Sequence, residues 1–191
     1  MVRDDLQEHG FLVFRHHVDP GLVENALRRL NLEILRVGIT AEQIDKWKYA
    51  TYWPSIRDDQ AFLDLREPVR DLLQPRDDEV WGDAQLLLRF PDEADDWPLT
   101  PHVDELPEWA GDRRYAAIAG VALSRSTLSD GCLAVWPGSH RGEPADEPEL
   151  VELDAGDVVV MHPDLQHSST LNRGGSIRYA VYYRLLGPPA G

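Results

Sequence analysis

Three residues in this chain, His102, Asp104 and His167, have the chemistry of a metal site. In a β-strand, residues i and i+2 point to the same face, so a strand through His102 and Asp104 presents an imidazole and a carboxylate side by side. Val103, between them, would then turn into the opposite packing layer. Two imidazoles and one carboxylate form the donor set that suits non-haem Fe(II) and leaves further positions of the ion open.

Arg178 follows His167 by eleven residues and could bind an anion near this site. Residues 172–175 (Asn-Arg-Gly-Gly) tolerate positive φ and predict a hairpin loop between two strands. In the resulting register, Ser169 lies opposite Arg178 on the face of His167. A guanidinium grips a carboxylate through two charge-assisted hydrogen bonds. This corner therefore predicts a dicarboxylate ligand whose other end reaches the metal.

Four motifs resemble the phytanoyl-CoA dioxygenase (PhyH) family of iron and 2-oxoglutarate oxygenases. They are HVD at 102–104, GCLAVWPGSHRG at 131–142, GDVVVMH at 156–162, and the His-x-Ser at 167–169 with its following arginine. The likeness extends through most of the chain and includes an N-terminal apolar strand, GFLVF, that leads into a helix.

The resemblance implies a role for each matching residue. His102, Asp104 and His167 would be the iron ligands. Arg178 and Ser169 would hold the distal carboxylate of 2-oxoglutarate. The implied cofactors are Fe(II), 2-oxoglutarate as cosubstrate, and O2.

Further candidates are assigned to the cosubstrate or the substrate. Gln85 lies seventeen residues before His102 and matches a position where some family members use glutamine to contact the cosubstrate. Arg89, Trp53 and Glu105 are candidate substrate contacts. Gln85 could equally be a satisfied core amide and Arg89 a surface charge, while aromatic residues near Trp53 could pack beneath the barrel.

The implied reaction converts 2-oxoglutarate and O2 to succinate and CO2 while an unactivated C–H bond is oxidised by hydroxylation or ring closure. Related halogenases replace the carboxylate ligand with a small residue, so an intact Asp104 favours hydroxylation or another oxidation. One alternative is a zinc-dependent hydrolase, because zinc also accepts two histidines and a carboxylate. Another is a non-catalytic jelly-roll binding module. Measurements of the bound metal and of 2-oxoglutarate consumption would distinguish the oxygenase, the zinc hydrolase and the binding module.

The periodicity of the chain predicts a mainly β protein with N-terminal α-helices. Asp19 and Pro20 signal the start of a helix that runs to about Val37, with Leu35 on its apolar face, and a further helix runs from about 58 to 73. From Glu79 onward the pattern is that of short strands separated by turns. The resemblance implies the same fold, a double-stranded β-helix (cupin-like jelly roll). We expect one domain over 1–191, with a helical part at 1–78 and a jelly-roll core at 79–186.

Composition limits the partners and the compartment. The net charge of −15 repels polyphosphate and argues against nucleic acid, while it suits a small polar, amine-bearing substrate, such as a secondary metabolite in antibiotic biosynthesis. No run of 18 apolar residues is present to span a membrane. The charged N-terminus and the single Cys132 favour a cytoplasmic protein. The oligomeric state cannot be predicted from the sequence.

Overall fold

A computed structural model describes residues 2–47, 56, 58–82, 84–92 and 100–189 of the chain. Its α-helices are α1 (Val2–His9), α2 (Pro20–Val37), α3 (Ala41–Trp47) and α4 (Gln60–Leu73), and single 3-10 turns lie at Glu108–Ala110 and Ser139–Arg141. The strands are β1 (Phe11–Phe14), β2 (Val80–Trp81), β3 (Gln85–Arg89), β4 (Tyr115–Ala122), β5 (Leu133–Val135), β6 (Glu149–Val151), β7 (Val158–Met161), β8 (His167–Ser169) and β9 (Arg178–Leu186). None of the described helices is long and apolar enough to cross a membrane.

Helix α2 begins and ends where its capping residues predict. The Asp19 carboxylate accepts a hydrogen bond from the Gly21 amide at 2.8 Å, and Gly38 ends the helix with φ +87°. Its buried face holds Val23, Ala26, Leu30, Glu33 and Ile34. The prediction that Leu35 joins this face is wrong, since its side chain is 76% exposed. One residue past Ile34, the helix has already turned about 100° toward solvent.

Two antiparallel sheets form the core of the fold. The larger has the strand order β1-β7-β4-β9-β2, with β3 also paired to β9, and the smaller has the order β6-β5-β8. Strand β1, within the part of the chain expected to be helical, pairs with β7 through Phe11 and Met161. The proposed division at residue 78 stays a prediction.

The large sheet lies between the helices and the small sheet. One apolar cluster joins its outer face to the helices, as in the packing of Leu30 and Phe62 with Val181. A second cluster fills the space between the sheets, with Ile118 from the large sheet and Leu133 from the small one. This helix-covered pair of sheets confirms the predicted jelly-roll class.

Three local predictions need correction. The sequence pattern predicts one strand over 80–90 and a loop over the acidic stretch 142–152, whereas the structure divides the first into β2 and β3 and places β6 in the second. The predicted hairpin at 172–175 is also wrong, because β8 and β9 belong to different sheets. The Asn172 side chain donates to the carbonyls of Arg89 and Ser176, which holds the chain as it crosses between the sheets.

Candidate metal centre

The structure brings His102, Asp104 and His167 together. Each offers one ligand atom, and the three atoms lie within 4.8 Å of one another. An isolated antiparallel bridge sets this spacing, since the His102 amide donates to the His167 carbonyl at 3.1 Å and the reverse bond measures 2.9 Å. The two imidazole ring centroids are 4.7 Å apart. A backbone bridge between two of the ligands therefore builds the cluster.

The segment carrying His102 and Asp104 is less regular than predicted. Outside the single bridge at His102, residues 101–107 form no strand. The prediction that Val103 packs into an opposite layer is wrong, because its side chain is 46% exposed. His102 and Asp104 nevertheless line the same cavity, as the alternation predicted.

Backbone carbonyls fix the tautomers of both histidines. His102 Nδ1 lies 3.1 Å from the Thr100 carbonyl oxygen, and His167 Nδ1 lies 3.0 Å from that of Leu165. A carbonyl only accepts, so each Nδ1 carries the proton and donates it. The Nε2 lone pair of each ring is then available to a metal ion, as in other histidine metal sites.

Arg184 holds Asp104, the third candidate ligand, in place, and this role was not predicted from the sequence. Its Nε and Nη2 donate to Asp104 Oδ2 at 2.9 and 2.5 Å, and Nη2 also donates to Gln85 Oε1. Asp104 Oδ1 faces His167 Nε2 at 3.6 Å. One carboxylate oxygen is thus held by arginine while the other is directed at the histidines.

The surroundings of Asp104 keep it ionised. Burial raises the pKa of this carboxyl, but the neighbouring His167 and the positive charge of Arg184 outweigh burial and hold the pKa well below its usual range. A permanently charged carboxylate is the form that ligates a metal.

The ligands open into a cavity of about 250 Å³ between the two sheets. Besides the three ligands, its wall includes Gln85, Leu87, Arg89, Ser169, Tyr182 and Arg184. The structure thus places Gln85, Arg89 and Ser169 beside the cluster. Glu105 lies in an adjoining pocket, and Trp53 falls outside the described residues.

Arg178 lies on the cavity-side face of β9 but does not pair with Ser169. Its register partner is Arg89 of β3, whereas Ser169 pairs with Leu133 in the small sheet. Alternation along β9 places Arg178 on the same face as Tyr182 and Arg184, both of which line the cavity.

The Arg178 side chain is 2% exposed, and its Nε and Nη2 have no hydrogen-bond partner among the described residues. Burial lowers the pKa of this guanidinium, and the neighbouring Tyr182, Cys132 and Asp130 offset only part of the effect. A buried guanidinium with unused donors fits an anionic ligand better than a structural role, because unmet buried donors are costly.

Comparison with known proteins agrees with this geometry. The sequence model of the family described as phytanoyl-CoA dioxygenase (PhyH) matches residues 6–180. A probable phytanoyl-CoA dioxygenase of Caenorhabditis elegans is 30% identical over a stretch that covers 35% of this chain and 29% of that protein. The chain thus aligns with less than a third of that relative's length.

Solved structures share the fold at low sequence identity. The epimerase SnoN, in complex with Fe3+, α-ketoglutarate and nogalamycin RO, is 17% identical with a TM-score of 0.65, and the alignment covers 97% of this chain and 82% of that one. EvdO2 from Micromonospora carbonacea var. aurantiaca, complexed with 2-oxoglutarate, is 18% identical with a TM-score of 0.71, covering 98% and 90%.

The family match extends over most of the chain and includes all three candidate ligands and Arg178. It confirms the family expected from the sequence motifs. The chain belongs to the phytanoyl-CoA dioxygenase family, whose members are non-haem iron, 2-oxoglutarate-dependent oxygenases.

Proposed function

We propose that the chain oxidises a C–H bond of a small metabolite, with iron bound by His102, Asp104 and His167, and 2-oxoglutarate bound beside it. When bound, iron and 2-oxoglutarate react with O2 to yield succinate, CO2 and an oxidant strong enough for an unactivated C–H bond. The remaining work falls to the protein, which must hold the ligands, orient the cosubstrate and shape a pocket for the substrate.

The iron ligands owe their orientation to neighbouring groups. The carbonyls of Thr100 and Leu165 hold the two imidazoles with Nε2 toward the ion. Arg184 occupies one oxygen of Asp104, so the carboxylate has a single oxygen to offer the metal. Three protein donors on one side leave the other side to cosubstrate and O2.

The unused donors of Arg178 are the observation that carries the cosubstrate assignment. Nε and Nη2 are adjacent on the planar guanidinium, so they can bind both oxygens of a carboxylate. Arg89, its register partner, brings a second cation to the same end of the cavity. Ser169 and Gln85, on the cavity wall, would add hydrogen bonds to the cosubstrate.

The chemistry performed on the substrate is a finer proposal. An intact Asp104 supports hydroxylation or ring closure. SnoN is described as a non-haem α-ketoglutarate-dependent epimerase from nogalamycin biosynthesis, which supports a role in secondary metabolism here. The net charge of −15 supports a polar, amine-bearing substrate.

Anaerobic reconstitution with Fe(II), followed by a visible spectrum on addition of 2-oxoglutarate, tests the assignment. We expect a metal-to-ligand charge-transfer band in the wild type that requires much more 2-oxoglutarate in Arg178→Ala. The matched control is Arg173→Ala, which removes an exposed arginine nearby and should leave the titration unchanged. Absence of the band in folded, iron-loaded wild type would refute the proposal. A zinc hydrolase and a non-catalytic binding module would then be the remaining candidate functions.

A further inference from the structure

A second pocket, of about 320 Å³, adjoins the metal cavity. Arg184 lines both spaces. The other lining residues used below are Gly82, Glu105, Trp109, Tyr115 and Leu186. A molecule in this pocket would lie next to Arg184, which itself touches the carboxylate ligand.

The segment that carries the pocket is held in place by hydrogen bonds. The Tyr115 hydroxyl donates to the Glu105 carbonyl at 2.9 Å, and the Ala110 amide donates to the Pro107 carbonyl at 2.9 Å. Trp109 is 53% exposed, so a large part of its indole remains available to a ligand at the rim. The pocket thus combines an ordered backbone with an uncovered aromatic surface.

The charges around the pocket leave one carboxylate unbalanced. The cation of Arg184 is matched by Asp104 at 2.5 Å. Glu105 is exposed, and within the described parts of the chain its carboxylate has no ion-pair or hydrogen-bond partner. Glu105 is therefore the one unpaired charge among the described residues that line this pocket, and that charge is negative.

We propose that this pocket binds the substrate and that the substrate is a cyclic organic ammonium ion. The ammonium group lies between the Glu105 carboxylate and the face of Trp109, where ion pairing and the cation–π attraction act together. The ring packs along Leu186, and the carbon to be oxidised points past Arg184 toward the metal. This inference rests on the proposed oxygenase function and adds the location and the charge of the substrate.

Three probes of one size and different charge test it: benzylammonium, benzyl alcohol and benzoate. Binding to the Fe(II)- and 2-oxoglutarate-loaded protein is measured by anaerobic titration calorimetry. We expect benzylammonium to bind about tenfold more tightly than benzyl alcohol, and benzoate to bind most weakly. Equal binding of the alcohol and the ammonium, or tighter binding of benzoate, would overturn the proposal.

Two pairs of variants locate the site. Glu105→Gln should abolish the preference for ammonium, whereas Glu108→Gln, the same change on a neighbouring exposed residue that does not line the pocket, should keep it. A Cβ at Gly82 would lie in van der Waals contact with Leu186 at 3.4 Å, the Arg184 carbonyl oxygen at 3.5 Å and Trp109 at 3.7 Å, so Gly82→Val adds volume at the pocket wall. It should block all three probes, while Gly175→Val, where a Cβ meets nothing within 4 Å, should not.

The charge-transfer band of each variant separates this inference from the function on which it depends. If the band is normal and neither Glu105→Gln nor Gly82→Val changes the binding of benzylammonium, the pocket assignment is overturned and the oxygenase function is not. If the band is missing from the wild type, the oxygenase function itself fails. A missing band in Gly82→Val would show that this variant does not fold. The comparison of Glu105→Gln with Glu108→Gln then still tests the pocket assignment.

Discussion

Two buried arginines, Arg178 and Arg184, occupy the same face of β9 six residues apart, yet among the described residues only Arg184 forms a salt bridge with a carboxylate. Arg184 is 6% exposed and binds Asp104 and Gln85. Arg178 is more deeply buried, and its Nε and Nη2 have no partner in the described structure. Arg184 Nη1 has no hydrogen-bond partner among the described residues, but Nε and Nη2 of the same side chain both donate hydrogen bonds. The two arginines therefore still differ.

The difference separates two uses of a buried cation. A buried cation that has a counterion in the protein holds other groups in position. Removing that cation leaves its partner buried and unpaired. A charge without a counterion is costly to the isolated protein and is compensated only when an anion binds. In the proposed function, Arg184 is the first kind and holds the candidate metal ligand Asp104, and Arg178 is the second kind and binds the cosubstrate.

The largest effect is expected on stability, from Arg184→Met. This change leaves the Asp104 carboxylate without its main partner and should lower the free energy of unfolding by about 3 kcal/mol. Arg178→Met removes an unpaired charge and should change it by less than about 1 kcal/mol, or raise it. Urea unfolding of metal-free protein without 2-oxoglutarate measures both. Equal losses of unfolding free energy in the two variants would show that Arg178 and Arg184 do not differ in their contribution to stability.

Binding of 2-oxoglutarate should show the opposite ranking. Arg178→Met removes a two-point, charge-assisted contact and should weaken the apparent affinity by about 100-fold, which corresponds to about 2.7 kcal/mol. A titration of iron-loaded protein under argon gives the value. Arg178→Lys keeps the charge but not the planar pair of donors, so we expect it to fall between wild type and Arg178→Met. An unchanged affinity in Arg178→Met would place the cosubstrate elsewhere.

Ligand-induced stabilisation should depend on Arg178 as well. At about ten times the dissociation constant, 2-oxoglutarate should stabilise the iron-loaded wild type by about 1.4 kcal/mol through mass action, a rise in Tm of about 3–6 °C. The same concentration should shift Arg178→Met by less than about 1 °C, because the site is then almost empty. Thermal scans at several 2-oxoglutarate concentrations measure this, and a full shift in Arg178→Met would contradict the assignment.

The sequence predicted the metal cluster because its signal is local. The His102-x-Asp104 spacing needs only a short extended segment, and the bridge between His102 and His167 supplies the rest. Helix α2 was also predictable from its capping residues, Asp19 and Gly38. The family motifs also predicted Arg178, whereas the hairpin register that first suggested this residue is wrong.

The pairing around residues 170–177 could not be predicted from turn chemistry. Residues 172–175 have the composition of a hairpin, yet the strands on either side lie in different sheets. The contacts that decide this come from distant residues, such as the Arg89 carbonyl, 83 positions from the Asn172 amide. Arg184 was missed for a similar reason, since its partner Asp104 is 80 residues away. An arginine within the apolar strand 179–186 was the one available signal.

Gln85→Ala should give the smallest effect and shows how far the Arg184 network extends. Gln85 Oε1 accepts from Arg184 Nη2, so its loss should cost about 1 kcal/mol of unfolding free energy, whereas Gln85→Glu keeps an acceptor and should cost less. Combined with Arg184→Met, the added cost of Gln85→Ala should fall nearly to zero, because the hydrogen bond is already gone. Additive losses would mean that Gln85 acts independently of Arg184. A shared loss in urea unfolding would establish that the glutamine stabilises the arginine and, through it, the carboxylate ligand.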